Sequence, residues 1–144
     1  MITINYPKFN FKIKEEKSKK LIFDEVRKLW VRLTPEEWVR QNFLQYLIQQ
    51  KHYPASLIAV EKEIFIADVK KRCDIIIYKN SQPFIIVECK EMNVPINEKV
   101  INQILTYNQS LRVAILIITN GNSTFAYETL TQKTLTDIPE FNIA

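Results

Sequence analysis
Apolar and polar positions along the chain recur with two different periods, and the changes of period mark the elements. In "LTPEEWVRQNFLQYLIQQKHYP" (33–54) Val39, Phe43, Leu44, Tyr46, Leu47 and Ile48 follow helical spacing and form one broad apolar arc. Thr34 suits the N-cap, Pro35 the first helical position and Glu37 the third position of a capping box, so a helix is predicted to about Gln50, stopping before Pro54. The runs "LIAVEKEIFIA" (57–67), "CDIIIY" (73–78) and "FIIVECK" (84–90) are short and β-branched and predict three strands, the last two joined by a tight hairpin at "KNSQP". After Pro95, Val100, Ile101, Ile104, Leu105 and Leu111 mark a second helix with Asn97 as its cap. "VAILIIT" (113–119) is then a fully buried strand, and "TNGN" turns into an edge strand at "TFAYETL". Residues 1–33 read as an N-terminal arm or short strands, 34–130 as the core domain, and 131–144 as a polar, loosely ordered C-terminal tail. The order helix, three strands, helix, strand predicts an α/β (α+β) fold, a mixed central sheet flanked by helices.

Against this pattern three charges stand out. Glu88 and Lys90 interrupt an apolar strand, and Asp74 interrupts the one before it. Folding the hairpin about Ser81 sets Asp74 opposite Glu88 and Cys73 opposite Cys89, so Asp74, Glu88 and Lys90 are expected on one face and the two cysteines on the other. Facing carboxylates repel, and burying them unpaired costs several kcal/mol, so something must compensate. Lys90 does so in part. A divalent cation between Asp74 and Glu88 does it better, and hard oxygen ligands at this spacing suit Mg²⁺. The alternative is a structural ion pair, Lys90 with Glu88 or Arg72 with Asp74.

The first helix supplies a further acid. Glu36 and Arg40 fall within the apolar arc near Phe43, and Glu37 sits at its edge. A capping box is sufficient for Glu37, which leaves Glu36 as the acid aimed at the sheet; its alternative is an i,i+4 pair with Arg40. On the second helix Gln103 and Tyr107 share a face. Gln103 there serves to hold a phosphate, a base edge or a carboxylate, or it is a rim residue; Tyr107 alone reads as core.

Composition narrows the chemistry. With 144 residues, 47% hydrophobic and 25% charged, the chain makes one globular domain. One glycine, Gly121, is too few for a phosphate loop or a dinucleotide turn, which excludes a nucleotide motor within this chain. Two cysteines and one histidine fall short of a zinc site or a disulfide framework, and His52, placed where a helix ends, reads as a capping or surface residue. No apolar run approaches a membrane span and the N-terminus has no signal-like apolar stretch, so a cytoplasmic location is expected. The net charge of +4 tilts the chain toward polyanions, with "KIKEEKSKK" (12–20) and Lys70, Lys71 and Arg72 as the cations, the last three suited to positioning a phosphate backbone.

"RCDIIIY" followed by "FIIVECK" resembles the D-x(n)-E-x-K signature of the PD-(D/E)XK nuclease superfamily. "LTPEEWVRQ", "YPASLIAVEKEI", "KRCDIIIY", "VECKEMNVPI", "QILTY" and "ITNG" together resemble the N-terminal nuclease domain of the type I restriction enzyme R subunit. That resemblance covers residues 34–121 and implies a restriction-endonuclease-like αβββαβ core. It also implies Asp74, Glu88 and the backbone carbonyl of Cys89 as metal ligands, Lys90 as the catalytic lysine, Glu36 or Glu37 as the helix acid, and Gln103 with Tyr107 as a Q-x-x-x-Y element at the DNA. The cofactor implied is Mg²⁺, with Mn²⁺ as a substitute. The partners implied are DNA and other restriction–modification subunits; a homodimer is left open. R subunits carry an ATP-driven translocase after this domain, and the glycine count leaves none here. The resulting expectation is a metal-dependent deoxyribonuclease domain without its motor. Two others stand beside it: a nuclease-like module that binds nucleic acid or protein without turnover, and a small interaction protein whose polar trio is a salt-bridge cluster.

Overall fold
A computed structural model describes residues 1–66, 68–109 and 112–142. The chain opens with a three-stranded antiparallel meander, β1 (Ile13–Glu16), β2 (Lys19–Asp24) and β3 (Leu29–Arg32). Helix α1 (Pro35–Gln49) follows, then a 3₁₀ turn at Ala55–Leu57. Three strands come next, β4 (Ile58–Ile66), β5 (Val69–Lys79) and β6 (Gln82–Cys89). Helix α2 (Glu98–Tyr107) leads to β7 (Ile115–Thr119), β8 (Thr124–Glu128) and the two-residue β9 (Lys133–Thr134). The second sheet runs β4-β5-β6-β7-β8-β9, antiparallel throughout except for β6 and β7, which α2 joins as a parallel pair. The fold is therefore a mixed α+β arrangement, and from α1 onward the element order is the expected one.

Both helix starts form as the sequence predicts. Thr34 caps α1 by accepting from the Glu37 N–H at 3.1 Å, with Pro35 in the first turn, and Asn97 caps α2 by accepting from Val100 N–H at 3.0 Å. The capping box at Thr34 is only half made, because the Glu37 carboxylate bonds elsewhere. The hairpin between β5 and β6 turns on Asn80 and Ser81, both left-handed at φ 52° and 62°, with Lys79 paired to Gln82. A bulge between Ile77 and Tyr78 shifts the register so that Ile75 meets Val87 and Ile77 meets Ile85.

Each face of the large sheet has its own core. Val39, Phe43, Leu44 and Leu47 of α1 cover Ile75, Ile77, Ile85, Val87 and Ile117. On the other face Cys73, Ile76, Ile86 and Leu116 form a smaller cluster against Leu105 of α2. Strand β7 is buried along its whole length, as its unbroken apolar run requires. The C-terminal segment is packed rather than loose. Ile138 is 1% exposed, Phe141 stacks edge-on to Tyr53, and the Tyr53 hydroxyl donates to the Pro139 carbonyl at 2.8 Å. Its apolar residues close the end of α1, an outcome its polar average conceals. Among the described residues, no helix is long and apolar enough to cross a membrane.

Candidate functional site
Charged residues singled out in the sequence lie where the N-terminus of α1 meets the middle of β5 and the end of β6. Asp74 is buried, and both its oxygens are occupied. Oδ1 accepts from Arg40 Nη2 at 2.8 Å and Oδ2 from the backbone N–H of Cys89 at 2.8 Å. Arg40 rises from the apolar arc of α1 with 7% of its side chain exposed, and its guanidinium also meets Glu37, Glu61 at 2.6 Å and Glu36 at 3.8 Å. Burial opposes the Arg40 charge, but the hydrogen bond to Asp74 and the charges of Glu37, Asp74 and Glu61 outweigh it and raise its pKa. Glu61 in turn accepts from Arg72 Nε at 2.8 Å. Burial pushes the Glu61 carboxyl up, yet Arg72 and Arg40 together hold it below its ordinary value.

Glu88 lies between Val87 and Cys89, both in the core under α1, so its side chain leaves the strand on the α2 side. There Lys71 Nζ sits 2.8 Å from Glu88 Oε1, an ion pair rather than a well-aligned hydrogen bond. Burial raises the Glu88 carboxyl above its usual range; Lys71 opposes this and the Asp74 charge adds to it. Lys90 follows the end of β6, its backbone N–H donating to Thr119 at 2.8 Å, and its charge is felt by both Glu88 and Glu36. Glu36 is half exposed at the mouth of the cluster, its pKa raised by burial first and then by Asp74. A model of the type I restriction enzyme R protein N terminus matches residues 35–141, most of the chain and all of this cluster.

The chain belongs to the type I restriction enzyme R protein N-terminus family. It also resembles a solved fragment assigned as an HsdR subunit of a type I restriction enzyme from Vibrio vulnificus YJ016, at 18% identity and a TM-score of 0.49, covering 67% of this chain and 22% of that one. No curated protein matches it.

Within this R-protein N-terminal chain, several expectations are corrected. Asp74 and Glu88 do not share a face. Opposite Asp74, Glu61 adopts a left-handed φ of 53°, and the Glu61–Asp74 pair is missing from a ladder whose flanking pairs, Val60 with Ile75 and Lys62 with Cys73, are intact. The pleat of β5 breaks there. Cys73 and Ile76 lie in one core and Ile75 and Ile77 in the other. Asp74 thereby turns to α1 while Glu88 keeps to the α2 side. The same break puts Cys73 and Cys89 on opposite sides of the sheet, not on one face.

Neither expected structural pair forms as proposed: Arg40, not Arg72, holds Asp74, and Lys71, not Lys90, holds Glu88. Lys71 is 8% exposed and engaged with Glu88, so it is not the solvated phosphate contact expected of it. Lys70 is exposed beside Glu63 at 3.4 Å, and Arg72 is largely exposed while bonded to Glu61. The two helix acids divide. Glu37 is buried among Arg27, Arg40 and Gln41, whereas Glu36 edges the Asp74 site. Gln103 is exposed and lines an open cleft with Glu98, Lys99, Asn102 and Thr106, and none of the Asp74, Glu88 or Glu36 side chains lines that cleft. The Tyr107 side chain lies outside the described residues.

The donor chemistry suits a hard divalent cation: two carboxylates and a main-chain carbonyl. Side-chain direction does not yet bring them to one point, and among the described residues no three His, Cys, Asp or Glu are grouped to hold a metal. Sequence reasoning missed Glu61 altogether, because nothing in its surroundings announces a left-handed residue inside a strand. It saw Arg40 only as a partner for Glu36.

Proposed function
We propose that this chain is a Mg²⁺-dependent endonuclease domain of the restriction-endonuclease-like, PD-(D/E)XK kind, serving the nuclease function of a type I restriction R protein. Family membership supports this, together with one observation. Glu36 and Glu88 each lie within the electrostatic influence of both Asp74 and Lys90, around the junction of α1, β5 and β6. Asp74, Glu88 and the Cys89 carbonyl would hold the cation, or Mn²⁺ in its place. A strand residue directs its N–H and C=O toward the same neighbour, so the Cys89 N–H bond to Asp74 aims the Cys89 carbonyl to that side as well. Glu88 has to turn from Lys71 around the end of β6 to join them.

When bound, the cation supplies Lewis acidity toward a phosphate oxygen and a water of lowered pKa. Lys90 orients the attacking water and steadies the charge that develops on the phosphate. Glu36 accepts a proton or a water hydrogen bond at the solvent edge of the site. Lys70 and Arg72 set the position of the DNA backbone without reading sequence, and Gln103 and Tyr107 contact DNA from α2. Other restriction–modification subunits are the protein partners this role implies.

The decisive experiment incubates supercoiled plasmid with the purified chain and Mg²⁺ or Mn²⁺, beside EDTA and Lys90→Ala controls. Nicking or linearisation lost in both controls is the expected result. Cutting that persists in Lys90→Ala would overturn the assignment of Lys90. A second reading, a binding module without turnover, draws on the ion pairs that already neutralise Asp74 and Glu88. DNA retention with no cleavage in either cation would select it.

A further inference from the structure
We infer that the outward face of the N-terminal meander binds single-stranded nucleic acid, with Trp30 stacking on an unpaired base and the cations around it holding phosphates. This goes beyond the nuclease role proposed above and needs neither a bound cation nor cleavage. Strand pairing defines the face. Ile22 and Asp24 are fully buried, and Asp24 accepts from Gln41 of α1, so Phe23 between them points the other way. Phe23 is paired to Trp30, and its N–H donates to the Lys12 carbonyl at 2.9 Å; two residues along, Lys14 and Arg32 flank β2 from either side. The contacts agree. The Phe23 and Trp30 rings meet edge-on at 5.3 Å, Lys12 lies over Phe23 at 5.5 Å, and Lys14 reaches across to the Trp30 ring at 4.4 Å.

Two observations point to the ligand. Trp30 is 37% exposed, and the flexible, exposed Lys14 is what covers its ring. Charge on the face is also one-sided. Lys12, Lys14, Lys19 and Arg32 are all exposed, and the acid among them, Glu16, is already paired with Lys14 at 3.3 Å. An exposed cation over an aromatic ring is worth about two- to fivefold in affinity, and a stacked base about five- to 150-fold. A base therefore displaces Lys14 from Trp30, and the freed ammonium turns to a phosphate. A duplex offers phosphates but no free base face, since each base is stacked on its neighbours, so the ring selects unpaired strand. If the two rings served only to hold the meander together, charge alone would remain, and charge alone favours the denser phosphates of a duplex.

Fluorescence anisotropy tests this with labelled oligo-dT and oligo-U of about 15 nucleotides and a duplex of the same length, in EDTA at about 50 mM salt. The full chain is expected to bind a single strand at least about fivefold more tightly than duplex, the two arms telling DNA from RNA. Trp30→Leu is expected to lose about fivefold or more and Trp30→Phe to stay within about twofold. Lys14→Gln and Arg32→Gln should each lower the salt slope by about 0.7, whereas Lys133→Gln, exposed on β9, should not. Asp74→Asn is expected to bind as wild type, so failure of the nuclease reading leaves this result standing. Equal or tighter duplex binding, no loss in a folded Trp30→Leu, or no binding of any strand overturns the inference. Should Trp30→Leu not fold, Trp38→Phe leaves Trp30 as the sole indole; quenching of its emission by the oligonucleotide supports the inference, and unchanged emission overturns it. Self-association in sedimentation that Trp30→Phe or Trp30→Leu abolishes would assign the face to a second copy and overturn it as well.

Discussion

Glu88 carries its charge where burial opposes it, and the ammonium groups of Lys71, in contact, and Lys90, further off, act against that. Its carboxyl is pushed above its usual range, first by burial, with Lys71 acting against the shift. The native state thus holds the Glu88 proton more tightly than the unfolded chain does, and between the two pKa values stability falls as pH rises. Lys71→Met leaves the carboxylate buried without its partner. The expected loss is about 2–4 kcal/mol at neutral pH, read by urea unfolding, and it should shrink as the pH is lowered and Glu88 takes up its proton. A loss that is the same at pH 5 and pH 8 would place Glu88 in a wetter setting than its 17% side-chain exposure indicates. At this scale the types of the charged residues were legible, and their pairing was not. "E-x-K" drew attention to Lys90, but the cation on Glu88 comes from Lys71 in the neighbouring strand, and nothing local to either tripeptide encodes that contact.

At the scale of elements, turn chemistry and capping were legible because they are local. Asn80 and Ser81 both take left-handed backbone in the two-residue turn of β5–β6, where the second position favours glycine. Ser81→Gly is expected to stabilise the chain by about 0.5–1 kcal/mol, visible as a rise of a few degrees in thermal unfolding. The N-terminal meander gave no such local signal, since its attachment is polar and long-range. Asp24, fully buried, accepts from the Val26 and Arg27 N–H groups, from Arg27 Nε and from Gln41 of α1, all at 2.7–2.8 Å. Burial acts to raise its carboxyl, but these donors and the Arg27 charge more than reverse that and lower it. Its contribution is therefore present above the unfolded pKa, near 3.9 for an ordinary aspartate, and is lost as pH falls through the depressed native value. Asp24→Asn should cost about 2–4 kcal/mol at pH 7 and uncouple the meander, seen as faster amide exchange in β2 and β3 than in β5 and β6. Equal exchange across both sheets would mean the meander is held by something other than Asp24. The strand break at Glu61 belongs to this scale too. Alternation is a rule for an unbroken pleat, and opposite the left-handed Glu61 of β4 the pleat of β5 breaks where Asp74 turns toward α1.

At the scale of the molecule, the large sheet separates two cores, and the C-terminal segment closes the one beneath α1. Ile138 is buried there, Phe141 packs on Tyr53, and the Phe141 N–H donates to the Lys51 carbonyl at 2.9 Å. Ile138→Ala is expected to cost about 2–4 kcal/mol in chemical unfolding, a value typical of a full core position. A loss below about 0.5 kcal/mol would return this segment to the loose tail its composition suggests. The site stands at the opposite end of α1, so this change should leave divalent-cation binding by the folded protein unchanged.

The sequence by itself determined what depends on neighbours along the chain: both helices and their caps, the order of the strands, the hairpin, the buried run of β7, and the presence of Asp74, Glu88, Lys90 and Glu36 in one chain. Only the tertiary structure decided which face each acid takes and which cation neutralises it. Periodicity and capping are set over a few residues by backbone geometry and burial. Charge pairing is set by which side chains the packed elements bring within about 3 Å, a length that spacing in sequence does not measure.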